Sequence, residues 1–338
     1  MTSVPPEPQP LQHPQTGLPK VSVVIPIYNG EQDLPDLLQR LRAQTYPLDR
    51  VEYWLVDNRS GDRTPALLKA AADQATHDGF PLFYRSQPQI QSSYAARNVG
   101  IRAATHDILA FIDADCRPQA TWLTELVQPF TQANVGIVAG EIQGLPGSRM
   151  LEQYAMRRQT LSQTHTFSHP FYPYGQTANL AVRRVALHQS GLFRPYLTTG
   201  GDADLCWRIL QQGRWQIQLA EAAIVQHRHR ASLSELSAQW QRYGRANRYL
   251  HDLHGVPLTP DLDLMDYLRR SGRWLFKELA IALPQVLAGK VPPAALLDTP
   301  LDLFCTQARS QGQRRATLPP TAHIIDWLEN RPPAQMPF

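Results

Sequence analysis

The amino-acid sequence predicts an α/β fold built on an open, mostly parallel sheet flanked by helices. Three observations carry that prediction: short apolar runs alternate with stretches of helical periodicity, the runs stop abruptly in polar residues, and no fixed-period repeat accompanies the alternation. Residues 21–25 form a β-branched strand run stopped by Pro26. Leu34, Leu37, Leu38 and Leu41 then recur at helical spacing over 34–43. A second strand is expected over 51–56, a polar interruption from Asp57 to Thr64, and a helix over 65–75 opened by Pro65. A third apolar run, 108–112, ends at Asp113. Further on, 180–182 reads as a strand, 205–211 as a helix and 222–225 as another apolar run.

Composition bounds the rest. With 338 residues, 43% hydrophobic and 18% charged, the chain can bury a large core. The excess of its 29 prolines over an average chain sits mainly toward the two ends, so 1–19 and 313–338 are expected to be proline-rich tails outside the fold. A formal charge of +4, dispersed along the chain, argues against a nucleic-acid partner but leaves an anionic ligand or membrane surface open. Cys116, Cys206 and Cys305 are far apart and lack metal-type spacing, which points to a reducing cytoplasm rather than to disulfides or zinc. No signal peptide is visible, and no apolar stretch reaches the roughly 18–20 residues of a spanning helix. The expected location is cytoplasmic, free or at the cytoplasmic face of the membrane.

In open α/β sheets ligands bind beyond the carboxyl ends of the strands. Tyr28-Asn29 follows the first strand, Asp57-Asn-Arg-Ser60 the second and Asp113-Ala-Asp115 the third, so all three would line one edge. The glycine-rich phosphate cradles of dinucleotide and P-loop proteins are missing. Asp113 and Asp115 offer hard oxygen ligands for magnesium or manganese, although Asp-x-Asp alone also reads as a solvated turn.

Val23-Val-Ile-Pro-Ile-Tyr-Asn29, Val56-Asp-Asn-Arg-Ser-Gly-Asp62, Ala96-Arg-Asn-Val-Gly100 and Phe111-Ile-Asp-Ala-Asp115 resemble, in order and spacing, the signatures of the family-2 inverting glycosyltransferases over about residues 20–250. The resemblance implies a GT-A type, Rossmann-like fold that binds a nucleotide-diphospho-sugar. It implies donor contacts at Pro26, Tyr28, Asn29, Asp57, Arg97, Asn98 and Asp113, with Asp57 at the base. Asp113 and Asp115 would serve ribose, diphosphate and a divalent metal (Mg or Mn), with His227 completing the metal shell. Thr198-Thr-Gly-Gly-Asp-Ala-Asp-Leu-Cys-Trp-Arg208 is similar to the acceptor motif Glu-Asp-x-Asp-Leu-x-x-Arg, with Gly201 where Glu is usual. Asp202 then stands at the general-base position, and Asp204 reads as a structural partner capping the helix that follows. Tyr174-Gly-Gln-Thr-Ala-Asn179 resembles the substrate loop, which makes Asn179 an acceptor-side residue or a turn former. Gln239-Trp-Gln-Arg-Tyr243 is close to the Gln-x-x-Arg-Trp signature of processive polysaccharide synthases within the same resemblance, with Tyr243 instead of Trp. Such synthases need several spanning helices, which the sequence lacks, so single-sugar transfer is expected, with Trp240 on the acceptor side or simply packed.

The functional expectation is an inverting, metal-dependent glycosyltransferase that moves one sugar from a nucleotide-sugar to a saccharide or lipid-linked acceptor. Its rivals are a noncatalytic sugar-nucleotide-binding or membrane scaffold and a nucleotidyltransferase. Residues 20–254 would form the catalytic domain and 255–312 a helical extension. Within that extension Arg269, Arg270, Arg273, Lys277 and Lys290 interleave with Trp274, Leu275, Phe276, Leu279, Ile281 and Leu283. Two readings stand for it: peripheral docking on an anionic membrane, or an amphipathic helix covering the catalytic domain.

Overall fold

The computed structural model describes residues 17–328; the expectations for 1–16 and 329–338 lie outside that range. At its centre is an eight-stranded sheet in the order β3-β2-β1-β4-β7-β6-β8-β5. β1 (Val21–Ile27), β2 (Val51–Asp57), β3 (Leu82–Ser86) and β4 (Ile108–Ile112) are parallel neighbours. β5 (Cys116–Pro118), β6 (Val135–Gly144), β7 (Asn179–Arg183) and β8 (Gln216–His227) complete the sheet. β7 runs antiparallel between β4 and β6, β8 is parallel to β6, and β5 is antiparallel on the far edge.

Every residue of β1, β2 and β4 is buried, which is why these strands read as unbroken apolar runs rather than as alternating ones. Strand periodicity still sorts the side chains. Val21, Val23, Ile25 and Ile27 join Ile108, Ala110 and Ile112 on one face, beneath α1 (Leu34–Arg42), α2 (Thr64–Asp78) and, farther along, α4 (Trp122–Val127). Val24, Leu109 and Phe111 enter the opposite core with α3 (Ser93–Ala103). A Cβ at Gly100 would overlap the Val24 side chain, so α3 seats against β1 only with glycine there. α2 ends where Gly79 turns left-handed at φ 68°.

β1 continues one residue past Pro26, where the sequence predicted a stop. Proline costs nothing here. The Ile27 carbonyl accepts from the Asn58 N–H on the β2 side at 2.8 Å, so the Pro26 nitrogen faces the β4 side, where pairing already ended at Val24 opposite Phe111. The same divergence of β1 from β4 opens the sheet edge at which the site forms.

α5 (Met150–Arg157) and α6 (Thr164–Phe167) follow β6. α7 (Arg184–Ser190) and α8 (Gly201–Leu210) cover the second core. α9 (Leu233–His254) opens with a reciprocal capping box between Ser232 and Glu235 and closes at left-handed Gly255. α10 (Leu264–Arg273), a π-helical turn over 274–278, and α11 (Leu279–Leu287) lead to α12 (Asp298–Arg315), which packs along α9.

Parts of both expected tails belong to the fold. Tyr46 donates to the Pro19 carbonyl, and Arg50 donates to that of Leu18 at 2.8 Å. Gln313 is buried in α12, Ala322 is buried, and Leu318 and Leu328 pack on the second core. Prolines at 319 and 320 shape a docked turn there, not a free end.

Candidate active site

Beyond the carboxyl ends of β1 and β4, loops and helix starts enclose a cavity of about 730 Å³, whose wall includes Arg97, Asp113, Thr177, Asp202, His227 and Arg230. α3 delivers Arg97 from a buried position, and its Nη2 donates to Asp113 at the end of β4 at 2.5 Å. Among the described residues, the buried Arg97 Nε has no hydrogen-bond partner. Asp202 sits in the first turn of α8, where its carboxylate accepts from the Thr177 hydroxyl at 2.9 Å. Burial raises the Asp202 carboxyl above the ordinary carboxylate range; the Arg97 charge opposes that rise and Asp113 adds to it.

Asp115 turns from Asp113 toward the end of β8. Its carboxylate lies 3.1 Å from His227 Nε2, while His227 Nδ1 donates to the Arg228 carbonyl at 2.7 Å, so both ring nitrogens are engaged. Burial works to lower the His227 pKa, but the hydrogen bond and charge of Asp115 raise it, and a cation bound at Nε2 would take the place of the proton there. Burial works to raise the Asp115 pKa, but the hydrogen bond and charge of His227 outweigh it and hold the carboxyl at about 2. The ligand atoms of Asp115, Cys116 and His227 lie within 4.8 Å of one another. Burial pushes the Cys116 thiol well up, so it stays protonated and is a poor ligand for a hard cation. Carboxylate and imidazole remain, a mixed oxygen–nitrogen donor pair that suits Mn²⁺ better than Mg²⁺, which prefers oxygen ligands alone. Asp113, read from the sequence as a third ligand, is outside this cluster and is engaged by Arg97.

Other expected site residues divide by environment. Asp57 is buried at the end of β2, where it accepts from the Ser60 N–H at 3.2 Å. Asn29 is left-handed at φ 49° and clasps the same loop, accepting from Gly61 N–H at 2.8 Å and donating its own N–H to Ser60 Oγ at 2.9 Å. Tyr28 is exposed beside it. Pro26 is buried within β1. Asn98, expected on the donor, is fully buried: it donates to the Phe193 carbonyl (2.8 Å) and to Asp326 (2.9 Å), and it accepts from Phe193 N–H (3.1 Å). Asn179, expected on the acceptor side, is equally buried; it accepts from Trp122 Nε1 (2.7 Å) and donates to the carbonyls of Glu141 (2.9 Å) and Ala223 (2.7 Å). Both amides are spent on backbone and side-chain partners inside the protein and face no ligand. Asp204 is a structural partner, as expected, but inside α8 and not at its cap. It binds Arg194 (2.9 Å), Arg208 (2.9 Å) and His254 (3.0 Å). Trp240 lines the cavity and packs with Leu236, Leu301 and Cys305.

Two residues escaped the sequence reading. Thr177 lies in the loop two residues before Asn179, the first residue of β7, and its hydroxyl is the one that reaches the candidate base. Tyr94, one helical turn before Arg97, lines the cavity, and its hydroxyl accepts from the Gly201 N–H at 3.0 Å. An ideal Cβ at Gly201 would come within 2.7 Å of Tyr94 Cζ, so the Tyr94 ring occupies the space in which any side chain at 201 would begin.

The sheet order, the crossing of β7, and acidic groups gathered at one sheet edge define the GT-A architecture. The same architecture is found in the mannosyltransferase PcManGT from Pyrobaculum calidifontis, solved with GDP-Man and Mn²⁺; the likeness has a TM-score of 0.56 at 20% identity and covers 90% of this chain and 91% of that one. Residues 22–197 match the family model for glycosyl transferase family 2, and the chain belongs to that family. It is 30% identical over 203 residues to glycosyltransferase AglE of Haloferax volcanii, covering 58% of this chain and 63% of that protein. It is 28% identical over 229 residues to the pre-mycofactocin glycosyltransferase of Mycobacterium tuberculosis, covering 66% and 46%. The chain thus spans about half to two-thirds of these relatives' length.

Proposed function

We propose that the protein transfers one sugar, with inversion, from a nucleoside-diphosphate sugar to a hydroxyl of a saccharide or lipid-linked acceptor. The observation that carries this reading is the placement of Asp202, a carboxylate with a raised pKa, on the wall that also presents Arg97, His227 and Arg230. A base and an anion-binding side are thereby joined by one cavity. The acceptor hydroxyl gives its proton to Asp202, held in aim by Thr177, while its oxygen attacks the anomeric carbon. The bond from that carbon to the diphosphate breaks, and the electron pair leaves with the nucleoside diphosphate. Attack opposite the leaving group inverts the configuration. Arg97, pinned by Asp113 and with Nε unpartnered, and Arg230 supply positive charge toward the diphosphate. Asp115 and His227 Nε2 would hold a divalent cation, which when bound supplies Lewis-acid stabilisation of the leaving group. The loop of Asn29, Asp57 and Ser60 is assigned to the nucleoside.

The test compares the parent with Asp202→Asn in a transfer assay that identifies the released nucleotide, beside a donor-binding titration. We predict that Asp202→Asn lowers kcat by about 100- to 10,000-fold with donor affinity kept within severalfold. The parent rate should fall on acidification through a pKa above the ordinary aspartate value, because the base must be ionised and burial raises its pKa. Undiminished transfer by Asp202→Asn would remove the base assignment, and release of pyrophosphate would make the protein a nucleotidyltransferase.

A further inference from the structure

The helical run of α10, the π turn and α11 extends over residues 264–287, about 36 Å at helical rise, and contains no buried residue. One side is anchored: Trp274 Nε1 donates to the Leu296 carbonyl at 2.9 Å, and Glu278 accepts from the Thr299 hydroxyl at 2.5 Å. The other side carries large apolar groups in water. Leu264 is 72% exposed, Phe276 82% and Leu287 79%, with Met265, Leu268, Leu275 and Leu283 all near half or more. Leu264, Leu268 and Phe276 fall on one row at four-residue spacing through Gly272, and Arg269, Arg273 and Lys277 form the row beside it. Over 263–290 there are five Lys and Arg against three Asp and Glu. No helix among the described residues is long and apolar enough to cross a membrane.

We propose that this face docks on the surface of an anionic lipid bilayer, with the apolar row inserted at the level of the headgroups and the cations seated among lipid phosphates. An apolar row flanked by long cationic stems is the arrangement that an interface of acyl chains and anionic headgroups complements. A second copy fits it less well. A two-fold contact through this face would set cations against cations, and the acidic groups Asp266 and Glu278 are already paired within their own chain, with Arg269 at 4.0 Å and Arg273 at 3.0 Å. The position has a consequence for the site. Val256, Pro257 and Thr259 line the cavity, and the chain runs from them directly into α10. A bilayer under α10 therefore lies beside that wall, and the acceptor would be lipid-linked and presented from the membrane. Docking stands without the transfer reaction; the acceptor class rests on it.

The experiment is sedimentation of the full chain with vesicles of phosphatidylcholine alone and of equal parts phosphatidylcholine and phosphatidylglycerol. Binding is expected to the anionic vesicles, with a marked loss in 0.5 M salt as roughly set by screening. Replacing Leu264, Phe276 and Leu287 together by Ser should weaken binding at least about tenfold, and Arg269→Gln with Lys277→Gln about fivefold per charge removed. These positions are exposed and outside the cavity, so hydrolysis of a soluble donor should be unchanged, which separates failure of docking from failure of the catalytic reading. Failure of the parent to bind vesicles, or unweakened binding by the triple-serine variant, would overturn the proposal. A concentration-dependent dimer that the serine substitutions dissociate, without vesicle binding, would assign the face to a second copy instead.

Discussion

At position 201 the decisive quantity is volume. Tyr94 is buried, stacks on Phe193 with ring centroids 5.5 Å apart, and gives its hydroxyl oxygen to the Gly201 N–H, so the ring has no ready place to retreat. Gly201→Ala should therefore destabilise the protein by about 1–3 kcal/mol through overpacking. In a Tyr94→Ala background the same substitution should cost much less, a coupling of about 0.5–3 kcal/mol readable in a denaturant double-mutant cycle. Additive costs would show that the ring is not what excludes a side chain. The missing acidic residue is thus accounted for by a neighbour 107 positions away in sequence, a relation that no local pattern displays. The same limit explains which site residues were legible. That Asp202, Arg97 and Asp113 share one cavity was legible because each sits in a motif that the family resemblance brings to the same sheet edge. The roles of Asn98 and Asn179 were not, because an amide suits a ligand and a backbone carbonyl equally well, and only the fold shows that Phe193, Glu141 and Ala223 reach them first.

Between elements, α9 and α12 approach closely enough to exclude side chains. A Cβ at Gly244 would overlap the Arg309 carbonyl, and one at Gly312 would overlap the Gln241 carbonyl, so the two helices meet backbone to backbone at reciprocal glycines. Alanine is the better helix former by about 1 kcal/mol, yet Gly244→Ala and Gly312→Ala should each destabilise, by about 1–3 kcal/mol net, because the helices must move apart. Thermal unfolding with helicity measured by circular dichroism checks the sign; a raised Tm in either variant would show that the contact does not depend on glycine. Element type was largely visible in the sequence, since β1, β2 and β4 read as unbroken apolar runs, α1 carries helical periodicity and α2 opens on Pro65. Their ends were not. α8 begins at Gly201, four residues before the helix expected from Leu205, because Gly200 at φ 77° starts the turn without a side-chain cap. That shift moves Asp204 into the helix, where it holds Arg194, Arg208 and His254 instead of capping.

Over the whole molecule, the segment after α12 ties together two helices that wall the candidate site, α3 and α8. The Asp326 carboxylate accepts from Asn98 and pairs with Arg102 at 3.0 Å, both on α3, and the Asp326 carbonyl accepts from Leu192 N–H at 2.7 Å. The His323 carbonyl accepts from Arg194 at 2.6 Å, and Arg194 in turn holds Asp204 in α8. One strap thus braces the helix that carries Arg97 and the helix that carries Asp202. Composition hid this, because proline-rich sequence ordinarily marks a solvated end, whereas here Ala322 is fully buried and Leu318 and Leu328 join the second core. A chain ending at Arg315 would leave Arg194, Asn98, Arg102 and the Leu192 N–H without these partners. Unpaired groups of this kind cost about 1–3 kcal/mol each where they stay buried, and about 1 kcal/mol corresponds to roughly 2–4 °C in a domain of this order of size. We predict a Tm lower by about 5 °C or more for the shortened chain. We also predict a smaller loss for Asp326→Ala, with weaker donor binding in both because Arg97 loses its brace. Calorimetry and donor titration on the two variants decide it: an unchanged Tm in the shortened chain would show that the strap lies on the domain without holding it.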